Sequence, residues 1–515
     1  MATKYLLIKN GTVVSSPTSV LRAPHSDILA CDGVIQMVGA LAGSALVQAI
    51  PAAELTVIDA EGAYVTPGGV DSHVHLAQGA GGVTMDGFET GTRSAICGGT
   101  TTVVCFAAQE RTDLDVTDVV ARYHAKAAAE GGTYCDYGFH LIVTNPTEDV
   151  MERQVRQLRH EGGISSLKIY LSYDNRKLSD AEVMSVLQVA RSEGMTTMIH
   201  AENWDMITFI IKQLEARGQT DPYFHAVSRP PLVEHEAAYR AICLSELMDA
   251  PILIVHVSTR VARDHIRAAQ TRLLPIHAET CPQYLYLLSD RLALPDYEGA
   301  KYVCSPPLRD SMDEINALWE GIANGTFTTL SSDHCPSCWD HPHGKKLGLD
   351  ERTNVAKFSK IPNGLPGVET RLPLAFQGVV DGKITIEKFV EVSATNPAKL
   401  YGLDKKGFIA PGYDADVAVW YPYGEQLKPG ATTFDGVVVA NEKLHHRGDY
   451  TPYEGMSLPN WPRYTVLRGR VMWDRDNGGL VGAQGDGRFV KRVGNMMKRE
   501  RNVWVNEWRP YENMP

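Results

Sequence analysis

The sequence predicts an α/β protein: a (β/α)8 TIM-type barrel with a small β-sandwich domain built from both chain ends. Three observations carry this reading. The middle of the 515-residue chain holds eight short apolar runs separated by stretches long enough for helices. Both ends read instead as antiparallel β structure. No glycine-rich phosphate fingerprint follows the first strand, which argues against an open doubly wound sheet.

The elements are expected in the following order. Residues 5–8 and 12–14 flank Asn10-Gly11, a two-residue turn signal that predicts a hairpin. Residues 27–30 and 34–38 flank Asp32-Gly33, and a third pair brackets Glu61-Gly62. The barrel strands are expected at 63–67 or just after, then at 101–106, 137–143, 167–171, 196–200, 252–256, 275–278 and 328–332. A helical stretch through residues 121–129 follows the second. Strands resume at 415–420, 436–440, 464–467 and 471–473. Each terminal block is too short to enclose a core alone, so the two are expected to pair. The expected division is an N-terminal sandwich segment at 1–66, the barrel at 67–414, a C-terminal sandwich segment at 415–478, and a C-terminal tail at 479–515 as an oligomer contact.

Composition excludes several functions. Apolar residues are 44% and charged residues 22%, ordinary for a globular chain rather than a disordered one. Sixty-one acidic against 50 basic residues give a net charge of -11, so no nucleic acid and no membrane partner is expected. No apolar run reaches transmembrane length, and charge at Lys4 and Lys9 interrupts any signal-peptide pattern. Nine cysteines, odd in number and scattered, point to a reducing, cytoplasmic setting.

The chemistry-bearing residues fall at the C-terminal ends of the barrel runs, where this architecture places its sites. Asp71-Ser72-His73-Val74-His75 closes the first, Lys168 ends or interrupts the fourth, His200 ends the fifth, His256 the sixth and Asp333 the eighth. With 17 histidines an incidental His-x-His pair is common, and His341-Pro342-His343 in a Pro/Gly-rich loop is read as one. His73 and His75 differ, because i and i+2 on a strand point to one side and offer two imidazoles to one ion. Lys168 stands among apolar neighbours. A buried ammonium is costly unless it loses its proton, and the neutral amine can capture carbon dioxide as a metal-bridging N-carboxylate.

These residues, together with Gly98-Gly99-Thr100-Thr101, His200-Ala201-Glu202-Asn203, Ser228-Arg229-Pro230-Pro231, Glu279-Thr280-Cys281-Pro282, Ser305-Pro306-Pro307 and Ser332-Asp333-His334-Cys335-Pro336, carry a likeness over nearly the whole chain. The chain resembles the binuclear amidohydrolases, and within them the dihydropyrimidinase/hydantoinase family. The resemblance implies that His73, His75 and Asp333 bind the more buried of two divalent ions and His200 and His256 the more exposed, with carboxylated Lys168 between them. Zinc is the default metal for such an imidazole-rich site. It also implies hydrolytic opening of a cyclic amide or imide, a 5-substituted hydantoin or dihydropyrimidine, to an N-carbamoyl amino acid. Asp333 would shuttle the proton, Tyr173 would donate to the oxyanion, and Ser305 and Asn363 would hold the ring edge. The family commonly forms tetramers, so a homo-oligomer, tetramer or dimer, is expected.

The chain departs from the family pattern around the pocket. The loop Leu76–Gly82 lacks the usual large aromatic, Tyr170 and Leu171 replace a Phe and a Met, and a second loop aromatic is replaced around Arg176-Lys177. A larger or more polar ring substituent is therefore expected. Dihydroorotases normally place an arginine where this chain has Ala77, nucleobase deaminases lack the Lys168 equivalent, and the non-catalytic dihydropyrimidinase-related scaffolds lose ligands that this chain keeps. Allantoinase, whose substrate is itself a hydantoin, is the alternative. Cys335 and Cys338 have redox or zinc-knuckle spacing but no second pair, and are read as loop thiols.

Overall fold

The computed structural model describes residues 4–22, 26–78, 86–341, 343–350, 352–353 and 355–497. Eight parallel strands form one sheet in sequential order: β1 (Gly69–Val74), β2 (Thr100–Ala108), β3 (Asp136–Ile142), β4 (Ser166–Tyr170), β5 (Thr196–His200), β6 (Ile252–Ile254), β7 (Ile276–Thr280) and β8 (Thr329–Leu330). The ends meet through a bridge between Val74 and His334, where His75 N donates to His334 O at 2.8 Å. The sheet thereby closes into the expected (β/α)8 barrel.

Helices cover the outside, and their starts are set by local chemistry. Ser179 caps the helix Asp180–Ser192 in a reciprocal capping box with Glu182. Asn203 caps Trp204–Ala216 by accepting from Met206 N at 3.1 Å, which fixes the chain immediately after His200 and Glu202. Inside the barrel Phe106, Ile142, Tyr170, Met198 and Leu253 pack together as the side chains of successive strands alternate in and out.

The terminal β blocks do pair. A seven-stranded sheet joins Tyr64–Pro67, Thr12–Ser16 and Ser19–Arg22 from the N-terminal end to Val417–Val419, Tyr464–Leu467, Arg470–Asp474 and Gly479–Leu480 from the C-terminal end. A four-stranded sheet of Tyr5–Lys9, Asp27–Cys31, Val34–Gly39 and Leu55–Asp59 stacks on it. Leu6, Ile8, Val13, Ile28, Val65, Val417 and Val466 fill the layer between the two sheets.

Two of the three expected N-terminal hairpins are corrected. Asn10-Gly11 and Glu61-Gly62 do turn through positive φ (59° at Asn10, 53° at Glu61, 90° at Gly62), but each carries the chain from one sheet to the other. Tyr5–Lys9 pairs with Asp27–Cys31 and Leu55–Asp59, never with Thr12–Ser16. The two corners lean on each other, with Gly62 N donating to Asn10 O at 2.7 Å. Gly11 is needed there because a Cβ would meet Val65 Cγ2 at 2.6 Å. Only Asp32-Gly33 closes a hairpin as expected. Residues 64–67 likewise belong to the sandwich, and the barrel's first strand is the stretch just after.

The tail runs beneath the N-terminal end of the barrel. Val490 N donates to Tyr137 O at 2.8 Å, Arg492 N to Gly163 O at 3.0 Å and Asn495 N to Gly194 O at 2.9 Å. Through Met497 it therefore packs on its own barrel; the rest of the predicted contact segment, 498–515, lies outside the described residues.

Candidate metal centre

All six predicted ligands are buried at the C-terminal end of the barrel. Their placement refines the expected strand ends. Lys168 sits mid-strand in β4 and His200 is the last residue of β5. His73 lies on β1 and His75 just beyond it. His256 and Asp333 were expected to end strands, but both lie past the last ladder residues, Ile254 and Leu330, in left-handed backbone with φ of 40° and 48°. Such conformations are strained for non-glycine residues and here turn both side chains inward.

His73, His75 and Asp333 bring one donor atom each within 4.8 Å of one another. Asp333 Oδ1 is 3.0 Å from His73 Nε2 and 3.7 Å from His75 Nε2. The remaining histidines join this group, with ring centroids 5.6 Å apart for His73 and His256 and 4.5 Å for His256 and His200. Lys168 Nζ lies 5.6 Å from the Phe106 ring centroid, and that ring stacks on His75 at 4.5 Å.

Outer partners settle which imidazole nitrogen faces inward. His73 Nδ1 lies 2.6 Å from Glu279 Oε1. His75 Nδ1 donates to Gln78 Oε1 at 2.6 Å, because the Gln78 amide nitrogen is committed to Phe106 O at 2.7 Å. His200 Nε2 donates to Glu202 Oε2 at 2.8 Å, and Arg229 grips the same oxygen at 3.1 Å. These partners leave His73 Nε2, His75 Nε2 and His200 Nδ1 for an ion, the arrangement found around metal-ligating histidines. His256 Nδ1 is buried without a hydrogen-bond partner.

The electrostatics fit the same use. Burial pulls the His75 imidazole down to about 3, and the neighbouring His73 charge adds to this, so His75 stays a neutral donor. Burial also disfavours charge on His73, but Asp333 and Glu279 outweigh it and raise that imidazole. Burial pushes Asp333 up, yet the adjoining His73 prevails and keeps it ionised. Burial brings the Lys168 ammonium down to about 8 against the opposing pull of Asp333 and Glu279, so a sizeable neutral fraction exists near neutral pH.

Tyr173 (φ 67°) stands beside the cluster, with its ring 5.5 Å from that of His200. Asn363 Nδ2 reaches its hydroxyl at 3.5 Å. The side-chain oxygens of Ser305 and Asn363 are buried without partners. Tyr173 and Asn363 thus stand beside the His200 end of the cluster, and the Ser305 side chain lies close to Tyr173. His341 and His343 join no metal-capable group among the described residues, and Pro342 lies outside them, as do residues 79–82 of the pocket loop. Cys335 and Cys338 are free thiols.

Sequence reasoning assigned no role to Gln78, Glu279 or Lys345. Lys345 is fully buried and donates to Val303 O, Pro362 O and Gly364 O, each at 2.8 Å, tying the Ser305 and Asn363 loops together. A carboxylate inside an apolar strand was the available signal for Glu279, but the seventh strand was expected to end one residue before it.

A second acidic group, Asp136, Asp414 and Asp416, is already held by cations, Arg468 pairing with Asp136 and Arg488 with Asp414. Lys406 Nζ contacts all three carboxylates at 2.6, 2.9 and 2.6 Å.

Residues 64–472 match the amidohydrolase family. The D-hydantoinase of Streptomyces coelicolor is 40% identical over 495 residues, covering 95% of this chain and 98% of that protein. The D-hydantoinase of Ralstonia pickettii is 39% identical over 490 residues with the same coverage. The crystal structure of dihydropyrimidinase from Brevibacillus agri superposes with a TM-score of 0.85 at 36% identity, over 95% of this chain and 99% of that one. The chain belongs to the amidohydrolase family and, within it, to the hydantoinase and dihydropyrimidinase group of cyclic amidohydrolases. Among the described residues no helix is long and apolar enough to cross a membrane.

Proposed function

We propose that this chain uses two divalent ions, zinc by default, to open 5-substituted hydantoin or dihydropyrimidine rings to N-carbamoyl amino acids. The observation that carries the reading is the convergence of His73, His75 and Asp333 with Lys168, His200 and His256, every one of them buried. In this reading His73, His75 and Asp333 would hold one ion and His200 and His256 the other. Lys168, carboxylated on Nζ, would complete the ligand set. Bound divalent ions supply Lewis acidity to a ring carbonyl and lower the pKa of a water molecule, so a nucleophile exists near neutral pH.

The protein groups supply the remaining chemistry. Asp333 accepts the proton of the attacking water and returns it to the ring nitrogen, which cannot leave as an anion. Tyr173 donates to the oxyanion formed as water adds to the carbonyl carbon. Burial raises its phenol, so it retains the proton that this requires. The ring carbon–nitrogen bond then breaks, leaving one open-chain product with a carboxylate at one end and a carbamoyl NH2 at the other. Ser305 and Asn363 hold the amide edge of the ring.

The nine free cysteines support a reducing, cytoplasmic setting, and the group's habit supports a homo-oligomer, tetramer or dimer. The test is an assay of the metal-loaded chain against 5-substituted hydantoins, dihydrouracil, allantoin and simple imides, with a chelated control. Ring opening of hydantoin or dihydrouracil that chelation abolishes supports the reading; turnover of neither ring refutes it.

A further inference from the structure

Arg176 follows β4 and is partly buried, yet among the described residues no carboxylate lies within 4.0 Å of its guanidinium. The other buried arginines around the site are neutralised: Arg229 by Glu202 at 3.1 Å, Arg309 by Glu234 at 2.9 Å and Arg371 by Asp71 at 3.3 Å. The adjacent Lys177 is paired as well, with Asp205 at 3.1 Å and Asp174 at 3.6 Å. Residues 79–85 contribute no acidic side chain. The one carboxylate that bears on its charge at longer range is Glu110, which is exposed.

The guanidinium faces the site wall. It donates to Tyr170 Oη at 3.5 Å, and its central carbon lies 5.4 Å from the Tyr170 ring centroid. That ring stacks on His200 at 5.4 Å, and Lys168 Nζ lies 5.2 Å from its centroid. Tyr173 and Cys335 also lie within the reach of the Arg176 charge. A guanidinium partly withdrawn from water and without an anion has N–H donors left to satisfy, and its fork matches a carboxylate in two parallel bonds.

We propose that Arg176 determines specificity by binding a carboxylate on the ring substituent, so that the preferred substrates are hydantoins or dihydropyrimidines bearing a short anionic side chain. This rests on the hydantoinase reading and changes only binding: the covalent step stays the addition of water and cleavage of the ring carbon–nitrogen bond. The product is an N-carbamoyl amino acid with a second carboxylate.

The experiment compares 5-carboxymethylhydantoin with its neutral isostere 5-carbamoylmethylhydantoin and with 5-methylhydantoin, using metal-loaded full-length protein. The expected result is a preference in kcat/KM of at least about tenfold for the carboxylate over the amide, expressed in KM. R176Q should reduce that preference about tenfold or more, while R176K should retain part of it. If R176Q loses its metal, the wild-type preference and R176K decide the matter. Opening of the amide and methyl substrates without a carboxylate preference, or an undiminished preference in R176Q, overturns the role of Arg176 and leaves the hydantoinase reading intact. Opening of none of the three, nor of dihydrouracil, overturns that reading and the proposal with it.

Discussion

Glu279 Oε1 lies 2.6 Å from Nδ1 of His73, while Nε2 of the same ring faces Asp333 Oδ1 at 3.0 Å. The imidazole is thus fixed in orientation and tautomer by one carboxylate and aimed at the ion position by its geometry. In E279Q the amide oxygen can still accept from Nδ1 but brings no charge. Metal affinity should fall about 10–100-fold, read by competition with a chromophoric chelator. Wild-type affinity in E279Q would show that the pair is only structural packing.

Lys345 acts at longer range. Its three donors hold the Val303, Pro362 and Gly364 carbonyls, which bracket Ser305 and Asn363. K345M keeps the length of the side chain and removes every donor, leaving three buried acceptors to be resolvated or orphaned at about 1–3 kcal/mol each. Denaturant midpoint should drop, and KM should rise about tenfold or more while both ions are retained. Unchanged KM in a folded, metal-loaded variant would separate Lys345 from the substrate loops.

Five of the six ligands were legible because each ends or closely follows an apolar run, whose ends a barrel gathers on one face; Lys168 was legible as a lone charge inside such a run. The exact strand limits were not legible at His256 and Asp333, since left-handed backbone beyond the ladder leaves no mark in hydrophobic periodicity. The sandwich shows the same limit. Asn10-Gly11 does encode a sharp turn, but positive φ says nothing about which strand the next segment will join, and here Val65 and the Glu61-Gly62 corner decide. Lys345 was hidden because its partners are main-chain carbonyls from loops 17 to 42 residues away.

Lys168 makes a pH prediction. Its ammonium is depressed by burial to about 8, and only the neutral amine attacks carbon dioxide. For the metal-stripped, decarboxylated protein at fixed dissolved carbon dioxide, the rate of reactivation should climb close to tenfold per pH unit below about 8 and level off above it. A rate independent of pH from 6 to 9 would contradict this.

Tyr173→Phe removes one hydroxyl. If that hydroxyl donates to the developing oxyanion, kcat should fall about 10²–10³-fold with metal content unchanged, and KM should move much less. Equal losses in KM alone would place Tyr173 in ground-state binding.

Metal stoichiometry tests the centre itself. Elemental analysis of the full-length chain, reconstituted with zinc and bicarbonate and freed of loose ions, should find about two equivalents per chain in the wild type. In K168A it should find no more than about one, with ring opening lost. A wild-type chain that holds fewer than two ions, or a K168A variant that keeps two and still opens the ring, would contradict the account.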